Sequence, residues 1–121
     1  MRVFLADANK DVRIALQMLF NRHPDMDVIG IAVRSDSLVE QVVAARPDVL
    51  LVNWDLPGHF LPDQIARLRA LIPRLRLVVL GVRFEASSMA MEAGVDAFVD
   101  MNAPPQELVD VLREVGAPES R

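Results

Sequence analysis

The sequence predicts an α/β domain in which helices cover both faces of a parallel β-sheet. Short apolar runs alternate with longer segments whose apolar residues recur every three or four positions. The runs are apolar at consecutive positions, which is typical of strands that are buried on both faces. Five strands alternate with five helices in this pattern, so we predict a doubly wound, three-layer sandwich with right-handed crossovers.

Length and composition indicate one compact domain. The chain has 121 residues and is 52% hydrophobic, which is enough for a real core. We predict that residues 1–116 form this domain and that residues 117–121 are a frayed polar tail. No apolar run is long enough for a signal peptide or a membrane span. We therefore expect a soluble, cytoplasmic protein.

Charge and cysteine content exclude several classes of site. The formal net charge is -4 and the basic residues are scattered, which argues against nucleic-acid binding by this domain. The chain has no cysteine, so disulfides, thiolate metal sites and cysteine nucleophiles are excluded.

The predicted strands are the apolar runs at residues 3–6, 28–32, 49–53, 77–80 and 97–99. The second is the weakest, because Gly30 interrupts it. The helices between them are framed by capping and turn residues. These residues are Asn9, Ser37 in a capping box with Glu40, Pro62, Gly94 after a helix near 86–93, and the pair Pro104 and Pro105.

Asn53 stands where chemistry is expected. In a parallel sheet the carboxyl ends of the strands meet at one edge, and ligands bind outside that edge. Asn53 ends the third strand and is followed by a Pro-Gly turn. A carboxylate at this place could bind a cation or attack phosphorus, whereas a neutral amide has no anionic oxygen for either role.

The order and spacing of the segments around the predicted strand ends resemble the receiver domain of two-component response regulators. The resemblance covers nearly the whole chain and is carried by residues 5–8, 46–58, 93–98 and 103–108. It is strongest to the subfamily whose members usually carry a C-terminal helix-turn-helix. It implies a flavodoxin-like fold with strand order 2-1-3-4-5.

The resemblance also implies which positions should carry the chemistry. Receivers hold magnesium with two adjacent acidic residues after strand one, where this chain has Asp7 followed by Ala8. The aspartate that accepts the phosphoryl group lies four residues before the loop proline, and that position is Asn53.

Two further positions of the family pattern are changed and one is kept. The hydroxyl residue at the end of strand four corresponds to Gly81, and the lysine at the end of strand five corresponds to Met101. Phe98 keeps the aromatic switch position. The resemblance therefore predicts a receiver scaffold whose phosphoacceptor site is degenerate.

We expect such a domain to act through protein contacts, without an enzyme activity, a metal or a cofactor. Its partner would be a kinase, an output domain, another regulator, or a second copy bound through helix four, strand five and helix five. The domain could be the regulatory half of a transcription regulator. Candidate contact residues are Trp54, Met89, Met91 and Leu112.

Alternatives remain open from the residues alone. A small molecule could bind in the vacated acidic pocket, although no glycine-rich phosphate loop follows strand one. Asp55 could accept phosphate, but the Pro-Gly turn favours a surface position for it. His23 and His59 lack a second ligand at metal spacing and are interpreted as surface residues.

Overall fold

The structure, a computed structural model, describes residues 1–82 and 84–116. Five strands and five helices alternate along it, and the predicted tail at residues 117–121 lies outside the described residues. The strands are β1 (Arg2–Ala6), β2 (Asp27–Ala32), β3 (Val49–Asn53), β4 (Arg76–Gly81) and β5 (Ala97–Asp100). The helices are α1 (Lys10–Asn21), α2 (Leu38–Ala45), α3 (Leu61–Leu71), α4 (Phe84–Ala93) and α5 (Pro105–Gly116).

All strands are parallel, and their order across the sheet is β2-β1-β3-β4-β5. This arrangement confirms the predicted fold class and strand order. The register pairs Asn53 with Leu80 and Gly81 with Asp100. The strands therefore end close together, at what we call the carboxyl edge of the sheet.

The core consists of two apolar clusters, one on each face of the sheet. Successive strand residues point to opposite faces, so each continuous apolar strand supplies both clusters. The first cluster joins the sheet to α2, α3 and α4, and includes Leu50 and Val52. The second joins it to α1 and α5, and includes Leu51. None of the helices in the described part of the chain combines the length and apolarity needed to cross a bilayer.

Two predicted helix ends are confirmed. The Asn9 side chain accepts a hydrogen bond from the Val12 amide at 3.1 Å, which caps the start of α1. Gly94 has φ of 102° after the end of α4, and the Val95 amide donates to the Ala90 carbonyl at 3.3 Å. This backbone geometry favours glycine and ends the helix.

The predicted capping box at the start of α2 is wrong. Ser37 makes no side-chain capping hydrogen bond, and its φ of -116° and ψ of 18° depart from the extended geometry that a cap requires. The Leu38 amide instead donates to the Ser35 carbonyl at 3.2 Å. The first turn of α2 is thus closed by backbone contacts alone.

Candidate functional site

The carboxyl edge brings three of the predicted site residues into contact. The Asn53 Nδ2 atom donates a hydrogen bond to Asp7 Oδ2 at 3.0 Å and lies 3.6 Å from the Met101 sulfur. Asp7 follows β1, Asn53 ends β3 and Met101 follows β5. The sheet order places β1 and β3 side by side, so these strand ends meet although 46 residues separate Asp7 from Asn53.

Asp7 is almost completely buried, with 3% of its surface exposed. Its Oδ1 atom accepts a hydrogen bond from the Asn9 amide at 2.9 Å, and its Oδ2 atom accepts from Asn53. The Arg13 guanidinium donates to the Asp7 backbone carbonyl at 2.9 Å, which ties α1 to the residue after β1. A buried carboxyl group needs donors such as the Asn9 and Asn53 amides because water does not solvate it.

Hydrogen bonds on both sides fix the orientation of the Asn53 amide. Its nitrogen donates to Asp7, which in its ionised form can only accept, and its oxygen accepts from the Asp55 amide at 2.8 Å. An aspartate at position 53 would place an oxygen against the Asp7 oxygen. The carboxamide is therefore the side chain that this pair of neighbours can satisfy.

Met101 closes the other side of Asn53. It is half-buried and packs against the second apolar cluster, while its backbone amide donates to the Gly81 carbonyl at 2.9 Å. A thioether is neutral and polarisable, so it can lie among apolar neighbours where an ammonium group would need a partner.

Gly81 and Phe98 occupy the same small space. A Cβ atom added to Gly81 would lie 2.8 Å from the Cζ atom of the Phe98 ring, which is closer than real contacts allow. Phe98 is half-buried and packs against the first apolar cluster. The ring therefore rests where any side chain at position 81 would have to go.

These residues do not fit a magnesium ion. Magnesium prefers several oxygen ligands, usually one or two carboxylates with water and substrate oxygens. Ala8 is exposed and offers no side-chain ligand, and Asn53 turns an N–H donor toward Asp7. Both Asp7 oxygens already accept hydrogen bonds within the chain. In the part of the chain that the structure describes, no three acidic or histidine side chains group closely enough to hold a metal.

Three of the four candidate contact residues retain some exposure. Met89 and Met91 on α4 are 44% and 49% exposed. Trp54 is half-buried, and it packs against the first apolar cluster. The prediction for Leu112 is wrong: it is fully buried, because the apolar stripe of α5 turns it toward the sheet.

The alternative candidates lie outside the side-chain contacts that join Asn53 to Asp7 and Met101, although the Asp55 backbone amide donates to Asn53. Asp55 is exposed in the turn after β3, and His59 is exposed in the following loop. His23 is partly exposed, and its Nδ1 atom lies 3.0 Å from Arg113 Nη2. Arg113 also binds Asp25 through two hydrogen bonds, so it ties α5 to the loop before β2.

A groove that the sequence did not reveal lies beside the site. It has a volume of about 460 Å³ and runs between α1 and the start of α5, with Met101 in its wall. The small side chains of Ala15 and Ala103 leave this space open. Its existence depends on how two helices distant in sequence pack together, so no local pattern predicts it.

No protein-family model matches the chain. A relative among known sequences is the DNA-binding transcriptional activator DevR/DosR of Mycobacterium tuberculosis, strain ATCC 25618 / H37Rv. It is 32% identical over 118 residues, which are 96% of this chain and 54% of that protein. Another relative is protein-glutamate methylesterase/protein-glutamine glutaminase 1 of Saccharophagus degradans. It is 23% identical over 116 residues, which are 93% of this chain and 30% of that protein.

A solved structure supports the fold. The two-component response regulator of the LuxR family from Aurantimonas sp. SI85-9A1 superposes with a TM-score of 0.88, at 23% identity, over 96% of this chain and 84% of that chain. The chain spans about a third to a half of the length of the two sequence relatives described above. The strand order and the superposition confirm the predicted receiver-like fold, and the chain is similar over nearly its whole length to a two-component response regulator.

Proposed function

We propose that this domain is a regulatory module of two-component signal transduction that works without accepting a phosphoryl group. The observation that supports the proposal best is the hydrogen bond from Asn53 to Asp7. Asn53 stands at the position that the family resemblance assigns to the acceptor aspartate. Its amide is not an anionic nucleophile, and it is held by two hydrogen bonds.

The surroundings of Asn53 also lack the groups that stabilise phosphoryl transfer. Charge that develops on the transferred group is stabilised by metal ions and by cationic side chains. Met101 supplies a neutral thioether at the position of the family lysine, and Ala8 supplies no ligand. Lys10 is the only lysine in the chain, and it lies in α1. We infer that the domain has no catalytic activity of its own.

Mass spectrometry of the intact protein tests this proposal. The domain is incubated with acetyl phosphate and magnesium, beside a receiver domain that has the acceptor aspartate as a positive control. We expect the control to gain the mass of one phosphoryl group and this chain to gain none. A stoichiometric adduct on this chain would overturn the proposal, and peptide mapping would then show whether Asp7 or Asp55 carries it.

A signal that does not use phosphorylation has to be carried by contacts with other proteins. We propose the face formed by α4, β5 and α5 for this role. Met89 and Met91 on α4 expose 44% and 49% of their surfaces, and Val82, which follows β4, exposes 52%. Large apolar side chains grouped on a surface are typical of interfaces. The occupant would be a kinase, an output domain, another regulator or a second copy of the chain.

Sedimentation velocity over a range of protein concentrations tests the second copy as the occupant. The double variant Met89→Glu with Met91→Glu is compared with Val43→Glu, which changes an apolar side chain of α2 that is 43% exposed. We expect the α4 variant to weaken self-association by about tenfold or more, and the α2 variant to leave it unchanged. Acetyl phosphate with magnesium should change neither result. Self-association that persists in the α4 variant would contradict the proposed face. Self-association that requires the phosphodonor would contradict the proposed mechanism.

A further inference from the structure

The groove between α1 and α5 has the size and lining of a small-molecule site. Its volume of about 460 Å³ falls within the range of about 300–1,000 Å³ that is common for ligand pockets. Leu16, Leu80, Val99 and Leu108 are buried core side chains whose surfaces form part of its lining. The groove therefore exposes apolar surface to water, which an apolar ligand would cover favourably.

The charged groups of the groove indicate which ligand it would take. Arg22 and Asp100 are the two charged residues in its lining. The Asp100 Oδ1 atom already accepts a hydrogen bond from the Asn102 amide at 2.8 Å. The Arg22 guanidinium pairs with no carboxylate among the described side chains, which are those of residues 1–82 and 86–116. A ligand with an anionic group would supply the missing partner.

The spacing of these groups sets the shape of the ligand. The lining begins at Val12 on α1 and extends to Arg22, ten residues further along the chain. A helix rises 1.5 Å per residue, so the groove follows α1 for about 15 Å. An elongated apolar body could lie along this length with its anionic end at Arg22. Its other end would approach Met101, whose sulfur contacts Asn53.

We propose that this groove binds a small organic anion with an elongated apolar body, such as a medium-chain carboxylate, and that Arg22 pairs with its anionic group. The site is separate from the vacated acidic pocket, because Met101 lies between the groove and Asn53. The proposal does not depend on whether the domain accepts a phosphoryl group. A ligand bound against Met101 would be a chemical signal that the domain could receive without being phosphorylated.

The ligand class is tested with three probes of equal chain length: decanoate, decanol and decyltrimethylammonium, each below its aggregation threshold. Binding is followed by the amide chemical shifts in ¹H–¹⁵N spectra of the ¹⁵N-labelled protein. We expect saturable shifts with decanoate that cluster on the groove lining, and binding of the ammonium probe weaker by about tenfold or more. Equal affinity for all three probes, shifts centred elsewhere, or no saturation with decanoate would overturn the proposal.

Two pairs of matched variants test the location. Ala15→Phe fills the groove, whereas Ala44→Phe makes the same change at an exposed position of α2. Arg22→Gln removes the proposed cation, whereas Arg74→Gln removes an exposed cation outside the groove. We expect Ala15→Phe to weaken decanoate binding by about tenfold or more. Arg22→Gln should bring the affinity for decanoate down to that for decanol, and both controls should bind as the unaltered chain does.

A second groove-filling variant covers the case in which Ala15→Phe fails to fold. Ala103→Leu fills the other side of the groove, and circular dichroism establishes that each variant is folded. Decanoate binding that survives in a folded groove-filling variant would overturn the proposal. Lining resonances that shift with protein concentration alone would also overturn it, because they would show that a second copy of the chain covers this face.

Discussion

The side-chain nitrogen of Asn53 donates a hydrogen bond to Oδ2 of Asp7 at 3.0 Å, across the carboxyl edge of the sheet. The contact joins an amide to a carboxylate that is 97% buried, since 3% of Asp7 is exposed. A hydrogen bond to a charged group contributes about 1.5–3 kcal/mol to stability. The Asn53 amide therefore supplies a donor to a buried carboxyl group.

Asn53→Asp should destabilise the domain at neutral pH. The substitution replaces the donor with a second carboxylate oxygen about 3 Å from Asp7, and like charges at this distance repel. We expect the free energy of unfolding to fall by about 1.5–3 kcal/mol. Urea denaturation at neutral pH measures the change. Asn21→Asp at the end of α1 serves as the control and should cost only a few tenths of a kcal/mol, roughly.

Magnesium should distinguish the unaltered chain from the Asn53→Asp variant. The unaltered chain offers one buried carboxylate whose oxygens already accept hydrogen bonds, so millimolar magnesium should leave its melting temperature unchanged. Asn53→Asp creates a pair of carboxylates that a cation would bridge, so magnesium should raise the melting temperature of that variant. Thermal melts with and without magnesium measure both effects. A shift of several degrees in the unaltered chain would be incompatible with the geometry of Asp7 and Asn53.

Gly81→Ala should push the Phe98 ring out of its position. The added carbon would lie 2.8 Å from the ring, so the ring or the strand has to move. We expect a loss of about 1–3 kcal/mol in the free energy of unfolding, as for other overpacked cores. The loss should shrink when the substitution is combined with Phe98→Leu, which opens the space.

Gly94→Ala is the matched control for the double-mutant cycle of Gly81→Ala and Phe98→Leu. Among the described residues nothing lies within 4 Å of a Cβ atom added at Gly94, so its cost comes from the positive φ of 102°. Its effect should add to that of Phe98→Leu within about 0.5 kcal/mol. If Gly81→Ala were equally additive, the steric coupling between Gly81 and Phe98 would be disproved.

Leu112 and Met89 should respond very differently to truncation. Leu112→Ala removes a fully buried side chain from the second apolar cluster and should cost about 2–5 kcal/mol. Met89→Ala changes a side chain that is 44% exposed and should stay within about 0.5 kcal/mol of the unaltered chain. Denaturant melts give both values. Equal losses would place Leu112 outside the core.

The ion pair between Asp25 and Arg113 should make a small, pH-dependent contribution to stability. Hydrogen bonding from Arg113 lowers the pKa of Asp25 below its ordinary value of 3.8. The stabilisation is therefore complete above pH 3.8 and is lost as the pH falls through the lowered pKa of the folded state. Unfolding free energies of the unaltered chain and of Arg113→Gln should differ near neutral pH and converge in strong acid. Arg74→Gln should show no such convergence, because an exposed cation without this pair has no stabilisation to lose.

The architecture could be predicted because its signals are local. Consecutive apolar residues mark each strand, and Asn9 and Gly94 mark helix ends through contacts within one turn. The meeting of Asp7 with Asn53 followed from the rule that parallel strands end at one edge. Periodicity alone could not decide whether Leu112 faced the sheet or a partner, because neighbouring positions on α5 are apolar as well.

Features that depend on distant packing were not predictable. The contact between His23 and Arg113 joins residues 90 positions apart, and the groove depends on the gap between α1 and α5. Ser37 has the right spacing for a capping box, but the backbone angles that the turn adopts prevent it. In each case the outcome is set by tertiary geometry that no short window of sequence contains.

The most direct test of the central claim is a titration of the ¹⁵N-labelled domain with magnesium and beryllofluoride, a mimic of the phosphoryl group. The side-chain amide of Asn53 reports on the contact with Asp7, and the backbone amide of Phe98 reports on the switch position. We predict that neither resonance shifts at saturating concentrations of the two reagents. Saturable shifts at both positions would show that the site still binds a phosphoryl mimic and transmits the event, which would contradict this account.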